Sequence, residues 1–302
     1  MSASDYVIGI DLGGTNVKTV AVDRAGEIIR RDCFGTGDDS AAQWMLAIKQ
    51  HVETVERDLG PAAGVGVASP GLAARDGRSI QWMMGRLEGV MGLDWTRHLG
   101  RRDRVPVLND AHAALLGEVW LGAAKGCDNV VMLTLGTGVG GAILCDGRVL
   151  KGHLRRAGHL GHISLDPDGA KDIVNTPSSL EDAIGECTLQ RRCDGRYAST
   201  KALVEAVARG DAVARAVWMK SVKALAVSMV SIANAVDPEV FILGGGIAQA
   251  GDALMRPLRA FFDEFEWRPT GTTVRIVHAT LGDKAGALGA ARAAWDAAEV
   301  SP

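Results

Sequence analysis

Short apolar runs alternate with longer helical stripes along the chain. Tyr6 to Asp11 (YVIGID) is a compact apolar run that ends just before Gly13-Gly14. A second β-rich run, Asn16 to Val22, follows at once, so the two read as a hairpin around a glycine turn. A third strand is expected near Ile28 to Cys33. From Ser40 to Leu59 the spacing becomes helical, with Trp44, Ile48, Val52 and Val55 on one stripe, and Gly60-Pro61 ends the helix. Strands are expected at Gly64 to Ala68 and Val105 to Leu108, and a helix at Ala111 to Leu121.

The second half repeats this grammar. Val130 to Leu135 runs into Gly136-Thr137-Gly138, and Val139 to Cys145 returns to an Asp146-Gly147 turn. The strand, glycine turn, strand pattern therefore recurs about 125 residues on, which suggests two related lobes rather than a short-period solenoid. Helices fill Thr200 to Val236. A strand at Val240 to Leu243 meets Gly244-Gly245-Gly246, and a helix starts near Ala250. A strand near Val274 to Val277 and a helix from Ala285 to Ala298 complete the pattern, which is that of an α/β fold.

Composition narrows the classes. The chain has 302 residues, room for two domains or two lobes, and is 47% hydrophobic and 23% charged, which excludes a disordered chain. A net charge of −3 gives no global electrostatic footprint for nucleic acid or an anionic membrane. The five cysteines (Cys33, Cys127, Cys145, Cys187 and Cys193) form no C-x-x-C motif, and an odd count argues for a reduced compartment. The beginning, MSASDYVIGID, lacks a signal core, and no uninterrupted apolar run approaches membrane-spanning length. A cytoplasmic protein without membrane or nucleic-acid partners is the expectation.

Three glycine loops follow apolar strands: Gly13-Gly14-Thr15, Gly136-Thr137-Gly138 and Gly244-Gly245-Gly246. Glycine lets backbone N–H groups approach an anion closely, though any one of these loops is equally a plain turn. None fits G-x-x-x-x-G-K-[ST] or a dinucleotide G-x-G-x-x-G, so neither a P-loop nor a Rossmann site is expected. Asp11 ends a strand facing such a loop. It reads either as a turn cap or as the residue that orients Mg²⁺ between its carboxylate and a phosphate. Thr15 and Thr137 offer hydroxyls, and Lys18, three residues past Thr15, reads either as a phosphate contact or as a solvated strand residue. Asn109-Asp110 opens a helix after a strand. Asp110 is equally an N-cap or the base that accepts a proton from an attacking hydroxyl, and Asn109 can donate to and accept from hydroxyls. His153, His159 and His162 cluster within ten residues.

The segments IGIDLGGTNVKTVAVD, GVASPG, LNDAHAALLGE, VVMLTLGTGVGGAILCDGRVL, AGHLGHISLDPDG, SLEDAIG, DPEVFILGGGIA and LGDKAGALGAA together resemble the ROK family of sugar kinases, glucokinase-like members of the actin-like ATPase superfamily. The resemblance runs from Ile8 to about Ala294. It implies a two-lobed, ribonuclease H-like α/β fold with the active site in the interlobe cleft. The N-terminal lobe would be residues 1–110 plus 285–302, and the C-terminal lobe 111–284. ATP with Mg²⁺ would lie on Asp11, Gly13, Gly14, Thr15, Lys18, Gly136, Thr137, Gly138, Gly244, Gly245 and Gly246. The sugar would lie near Pro70, Gly71, Asn109, Asp110, His159, His162 and Glu181, with Asp110 as general base. The resemblance also implies a homodimer.

Two departures from the family pattern matter. The zinc motif C-x-C-G-x-x-G-C-x-E would begin at Asp172, and its three cysteine positions hold Asp172, Val174 and Ser179, so structural zinc is not expected. His159 stands where A-G-E-x-G-H has Glu. An imidazole presents a different donor and acceptor pattern, so the hydroxyl pattern read there should differ from that of glucose. An N-acetylhexosamine, a cyclitol, polyphosphate as donor, or a catalytically weak sugar sensor acting through a partner protein all stay open. So does a phosphatase or ATPase on the same fold. A DNA-binding repressor is disfavoured, because the first phosphate strand starts at residue 6 and leaves no room for a preceding helix-turn-helix.

Overall fold

The computed structural model describes residues 6–37, 41–85 and 87–300. The chain divides into two compact units: residues 1–126, 151–157 and 280–302, and residues 127–150 and 158–279. In chain order the first unit contains β1 (Tyr6–Leu12), β2 (Asn16–Asp23), β3 (Ile28–Gly35), α1 (Ala41–Leu59), β4 (Val65–Ser69), β5 (Leu72–Ala73), β6 (Ile80–Trp82), α2 (Trp95–His98), β7 (Val107–Asn109) and α3 (Asp110–Leu121). The second contains β8 (Val130–Leu135), β9 (Val139–Cys145), β10 (Arg148–Val149), α4 (Leu180–Ile184), α5 (Leu189–Arg192), α6 (Thr200–Ala208), α7 (Ala212–Val236), β11 (Val240–Gly244), α8 (Asp252–Phe265) and β12 (Arg275–His278). The last helix, α9 (Ala285–Val300), returns to the first unit.

The two main sheets have one topology. The first runs β3-β2-β1-β4-β7 and the second β10-β9-β8-β11-β12. In each the first three strands are antiparallel and the last two join in parallel. The repeated glycine-turn hairpin in the sequence is the β1–β2 and β8–β9 pair of these sheets.

The first sheet is covered on both faces, which is why β1 is apolar on both. Ile8, Ile10 and Leu12 share a core with Trp44, Ile48, Val52 and Val55 of α1. Val7, Val20 and Val22 pack with Ala287, Leu288 and Ala291 of α9. That helix lies so close that a Cβ on Gly9 would stand 2.0 Å from the Ala287 carbonyl oxygen, and one on Gly66 2.0 Å from that of Ala290. α9 also meets α3, where a Cβ on Gly117 would lie 2.5 Å from the Ala285 carbonyl oxygen. This packing corrects the expected lobe boundary at 110/111: α3 belongs to the first unit because its small residues seat against α9. In the second unit Val131, Leu133, Phe241 and Leu243 pack against Trp218, Val222 and Met229 of α7 and Leu254, Leu258 and Phe262 of α8. By length and hydropathy alone α7 is apolar enough to cross a membrane, but this buried stripe accounts for its composition.

Most expected elements lie within a few residues of their observed bounds. The expected helix start at Ser40 lies outside the described residues. The helix expected near Ala250 is a 3₁₀ turn, Ile247–Ala250, followed by α8 after Gly251, whose φ of 56° ends the turn. The pair β5–β6, the two-residue β10 and the four- and five-residue helices α2, α4 and α5 are too short for periodicity to reveal, whereas β9 lies where it was expected.

Candidate active site

In the first unit the chemistry collects at the carboxyl ends of β1 and β7. Asp11 pairs across the hairpin with Lys18. Its carboxylate faces the start of α9, where a Cβ on Gly286 would come within 2.7 Å of its carboxyl carbon. Burial pushes the Asp11 carboxyl up to about 6, helped by Asp110 and Asp283 and opposed by Lys18. Lys18 lies 4.0 Å from Asp283, which also pairs with Arg31 at 2.7 Å. The loop after β1 is held by Gly13 N–H donating to Asn16 O at 3.0 Å and Thr36 Oγ1 donating to Gly13 O at 2.7 Å. The Thr15 carbonyl accepts from Thr36 N–H.

Asn109 and Asp110 divide the roles that the sequence left open. Asn109 is the N-cap of α3: its Oδ1 accepts from Ala111 N–H at 3.0 Å and, more weakly, from His112 N–H at 3.4 Å. Its Nδ2 donates to Gly71 O at 3.0 Å. The N-cap reading of Asp110 is thereby overturned; it is the first helical residue, one position on. Asn109 spends both ends of its amide on the backbone, while Asp110 keeps an exposed carboxylate that accepts from Ala111 N–H at 2.8 Å. Crowding by protein raises the proton affinity of Asp110, and hydrogen bonds from Ala111 and Asn109 only partly offset it. Asp110 is an exposed residue, so a hydroxyl can approach it, and the desolvation of its carboxylate by surrounding protein makes it a stronger base than a free one. Pro70 and Gly71 form the turn after β4. Gly71 has a φ of 96°, and a Cβ there would meet Trp82 O at 2.5 Å, so only glycine fits.

In the second unit two of the glycine loops meet because β8 and β11 are parallel neighbours. Gly245 has a φ of 86°, and a Cβ on it would stand 2.3 Å from Leu135 O, directly before Gly136-Thr137-Gly138. Around the loops lies a cavity of about 560 Å³, lined by Gly136, Thr137, Glu186, Ser199, Thr200, Lys201, Val204, Glu205, Gly246, Ile247, Gln249 and Ala250. Its size and mixture of apolar and polar walls suit a nucleoside. The sequence reading missed Glu186, Ser199, Thr200, Lys201 and Gln249. Glu186 accepts from Thr200 N–H at 3.0 Å and from the Thr200 hydroxyl, and Ser199 caps α6. The Ser199-Thr200 start of a helical stripe was the visible signal, but nothing in the pattern placed it beside the glycine loops.

Glu181, expected at the sugar, has one carboxylate oxygen committed to the loop: Oε2 accepts from Val139 N–H at 2.9 Å. A Cβ on Gly138 would collide with that oxygen at 2.2 Å. His159 precedes the 3₁₀ turn Leu160–His162. His162 Nδ1 lies 2.9 Å from Asp172 Oδ2, and the Asp172 side chain is 1% exposed. The Asp172 carboxylate also accepts from Val174 N–H at 2.9 Å and Thr176 N–H at 2.8 Å. Burial pushes its carboxyl up, but His162, these two N–H groups and Ser179 outweigh that and leave it below the usual range. The residues present do not fit zinc, since no thiolate is available and Asp172 turns inward to bind the loop itself. Asp172 thus ties His162 to the 172–179 segment, a role the sequence did not reveal.

Magnesium, which the family resemblance implies, takes oxygen donors and few protein ligands. Asp11 fits. Its carboxylate makes no hydrogen bond among the described residues, and the neighbouring carboxylates that raise its proton affinity are what a divalent cation relieves.

The repeated sheet order and the glycine-loop cavity define the class: an α/β protein of the actin-like ATPase fold. Within that class the chain belongs to the ROK family, whose profile matches residues 7–297. It is 30% identical over 306 residues to a glucokinase of Thermotoga maritima, covering 94% of this chain and 96% of that one. Among solved structures, a ROK hexokinase from Thermus thermophilus superposes with a TM-score of 0.87 at 28% identity, covering 98% of this chain and 100% of that one. A ROK family glucokinase from Streptomyces griseus, in complex with glucose and AMPPNP, gives 0.76 at 27% identity, covering 96% and 99%.

Proposed function

We propose that this chain is an ATP-dependent sugar kinase that phosphorylates a hydroxyl, the primary one, of a hexose or hexose-like substrate. The observation that carries this reading is Asp110: an exposed carboxylate of raised proton affinity at the first turn of α3, held in place by Ala111 N–H and flanked by Asn109. In support, the glucokinase from Streptomyces griseus binds an ATP analogue and glucose.

Asp110 takes the proton of the attacking hydroxyl as the oxygen moves on the γ-phosphorus. Asn109 fixes the carboxylate by capping the helix on which it stands. The backbone N–H groups of Gly14 and Thr15 and of Thr137 and Gly138 bind phosphate oxygens, while those of Gly13 and Gly136 hold their loops by donating to Asn16 O and Gly138 O, and the Gly244-Gly245-Gly246 loop with the Glu186–Thr200 wall receives the nucleoside. Asp11 would hold Mg²⁺, which supplies charge neutralisation on the phosphates. His159 in place of the family's Glu supports a hydroxyl pattern other than that of glucose alone. A homodimer in the cytoplasm accords with the resemblance and the cysteine usage.

A coupled ADP-release assay with Mg-ATP, run across hexoses, N-acetylhexosamines and cyclitols, tests the reading. Sugar-dependent turnover is expected. Turnover with ATP alone, unchanged by any sugar, would make the protein an ATPase instead. ATP binding without turnover on any acceptor would favour a sugar sensor.

A further inference from the structure

A second cluster of charge lies in the first unit, on the turn between β5 and β6. Ala74 N–H donates to Ser79 O and Gly77 N–H to Ala74 O, each at 2.8 Å, which closes a tight loop. Two arginines from elsewhere in the chain cap the loop's carbonyls: Arg104 Nη2 donates to Asp76 O, and Arg155 Nη2 donates to Arg75 O. Arg155 comes from residues 151–157, which return to this unit, and holds a left-handed backbone with φ 61°. Arg75 and Lys151 complete a group of four cations.

No ion pair among the described residues neutralises these cations. Among the described residues, no carboxylate lies within ion-pair distance of Arg75, Arg104, Lys151 or Arg155. The acid of the loop, Asp76, uses Oδ1 to accept from Arg78 N–H at 3.1 Å. The cations also feel one another. Burial, then Arg155 and Arg104, hold Lys151 below its ordinary value; burial, then Arg104 and Arg75, do the same to Arg155, against a smaller pull from Asp76. Capping two turn carbonyls does not require four positive charges, because neutral donors cap as well without repulsion. The cluster is also separate from the carboxylates of the first unit's site. Gly77 O accepts from Val107 N–H at 2.9 Å at the start of β7, whereas Asp110 follows its far end.

We propose that Arg75, Arg104, Lys151 and Arg155 form a binding site for a phosphate group, either orthophosphate or the terminal group of a small phosphomonoester. Two guanidinium groups anchored on main-chain oxygens offer pre-oriented forked donors that suit a phosphate, and the ammonium adds a point charge. The net charge of −3 hides this local excess, which only the return of residues 151–157 to the loop assembles.

Isothermal titration calorimetry on the full chain tests the site, with sodium phosphate in one arm and glycerol phosphate in the other, each against sodium chloride of equal ionic strength. Saturable binding is expected. It should weaken about tenfold or more in the Arg104→Gln, Arg155→Gln double variant. Lys151→Gln alone should weaken it several-fold; Lys151 makes no side-chain hydrogen bond among the described residues, so this variant keeps the test valid if the double variant folds poorly. Binding in both arms would mean the phosphate group alone is recognised, and binding in one arm identifies the source. Binding that is absent, or that survives all these substitutions unchanged, overturns the proposal. So does cluster-dependent binding of a short DNA oligonucleotide when neither small anion binds, because the surface would then serve a polyanion.

Discussion

Asp11 is a carboxylate that the fold tolerates rather than uses for stability. Its proton affinity rises from 3.8 to about 6, first through burial and then through Asp110 and Asp283. A rise of about two units corresponds to about 3 kcal/mol of penalty on the charged form. The side chain retains partial contact with solvent, which screens this to about 1–2 kcal/mol. Asp11→Asn keeps the shape and removes the charge, and no hydrogen bond is lost. The variant is therefore expected to melt higher than wild type near neutral pH without metal or nucleotide, by about 2–4 °C for each kcal/mol. The sign follows from proton linkage. A raised carboxylate binds more protons in the folded state, so its stabilising contribution is full below the unfolded pKa of about 3.9 and is lost as pH rises through about 6. The advantage of the variant should thus be about twice as large near pH 8 as near pH 5. Scanning fluorimetry in chelator at both pH values measures it. A variant that melts lower near pH 8, or whose advantage does not change with pH, refutes the reasoning. Adding Mg-ATP should reverse the order, since wild type alone has the carboxylate to hold the cation.

Other expectations concern neighbouring parts of the fold. The acid limb of kcat, measured at saturating sugar and Mg-ATP, should lie above the ordinary carboxylate range, because Asp110 must lose its proton to act and its proton affinity is raised. Asp172→Ala should destabilise the second unit by about 2–3 kcal/mol in urea titration, since it strands two loop N–H groups and His162. The wild-type margin over it should shrink as the pH is lowered, because a depressed carboxylate contributes above its unfolded pKa and loses that contribution as it is protonated. Gly245→Ala should raise the KM for ATP at least about tenfold or prevent folding, because its Cβ would overlap Leu135 O in a left-handed backbone; a normal KM in folded protein contradicts the loop packing. Glu118 is fully buried and accepts from Thr280 N–H, Leu281 N–H and Ala123 N–H, so Glu118→Ala should cost about 3 kcal/mol, read as a lower urea midpoint.

Much of this was legible in the chain. The continuous apolar run of Tyr6 to Leu12 and the stripe through Trp44, Ile48 and Val52 report burial directly, the first of a strand covered on both faces and the second of a helix covered on one. Glycine loops after apolar strands were visible for the same reason, and the repeated hairpin announced the repeated sheet. What the sequence hid depends on distant parts of the chain meeting. That Asn109 caps α3 while Asp110 stays open turns on a single residue of offset, which propensity does not resolve. The membership of α3 in the first unit depends on Gly117 of α3 and Gly289 of α9 letting the two helices approach closely. Glu181 had a readable position, but its use as a latch on Val139 depends on a loop 42 residues away. The hub at Asp172 and the cationic loop around Arg155 are likewise properties of tertiary return, invisible in composition and even masked by it.

The central claim is that Asp110 is the base of a sugar phosphotransfer. The most direct test is Asp110→Asn, assayed for turnover with Mg-ATP and the best acceptor, alongside calorimetric binding of that acceptor. The account expects kcat to fall by about 10²–10⁴ while the sugar Kd stays within a few-fold of wild type. Turnover close to wild type in the folded variant would contradict it.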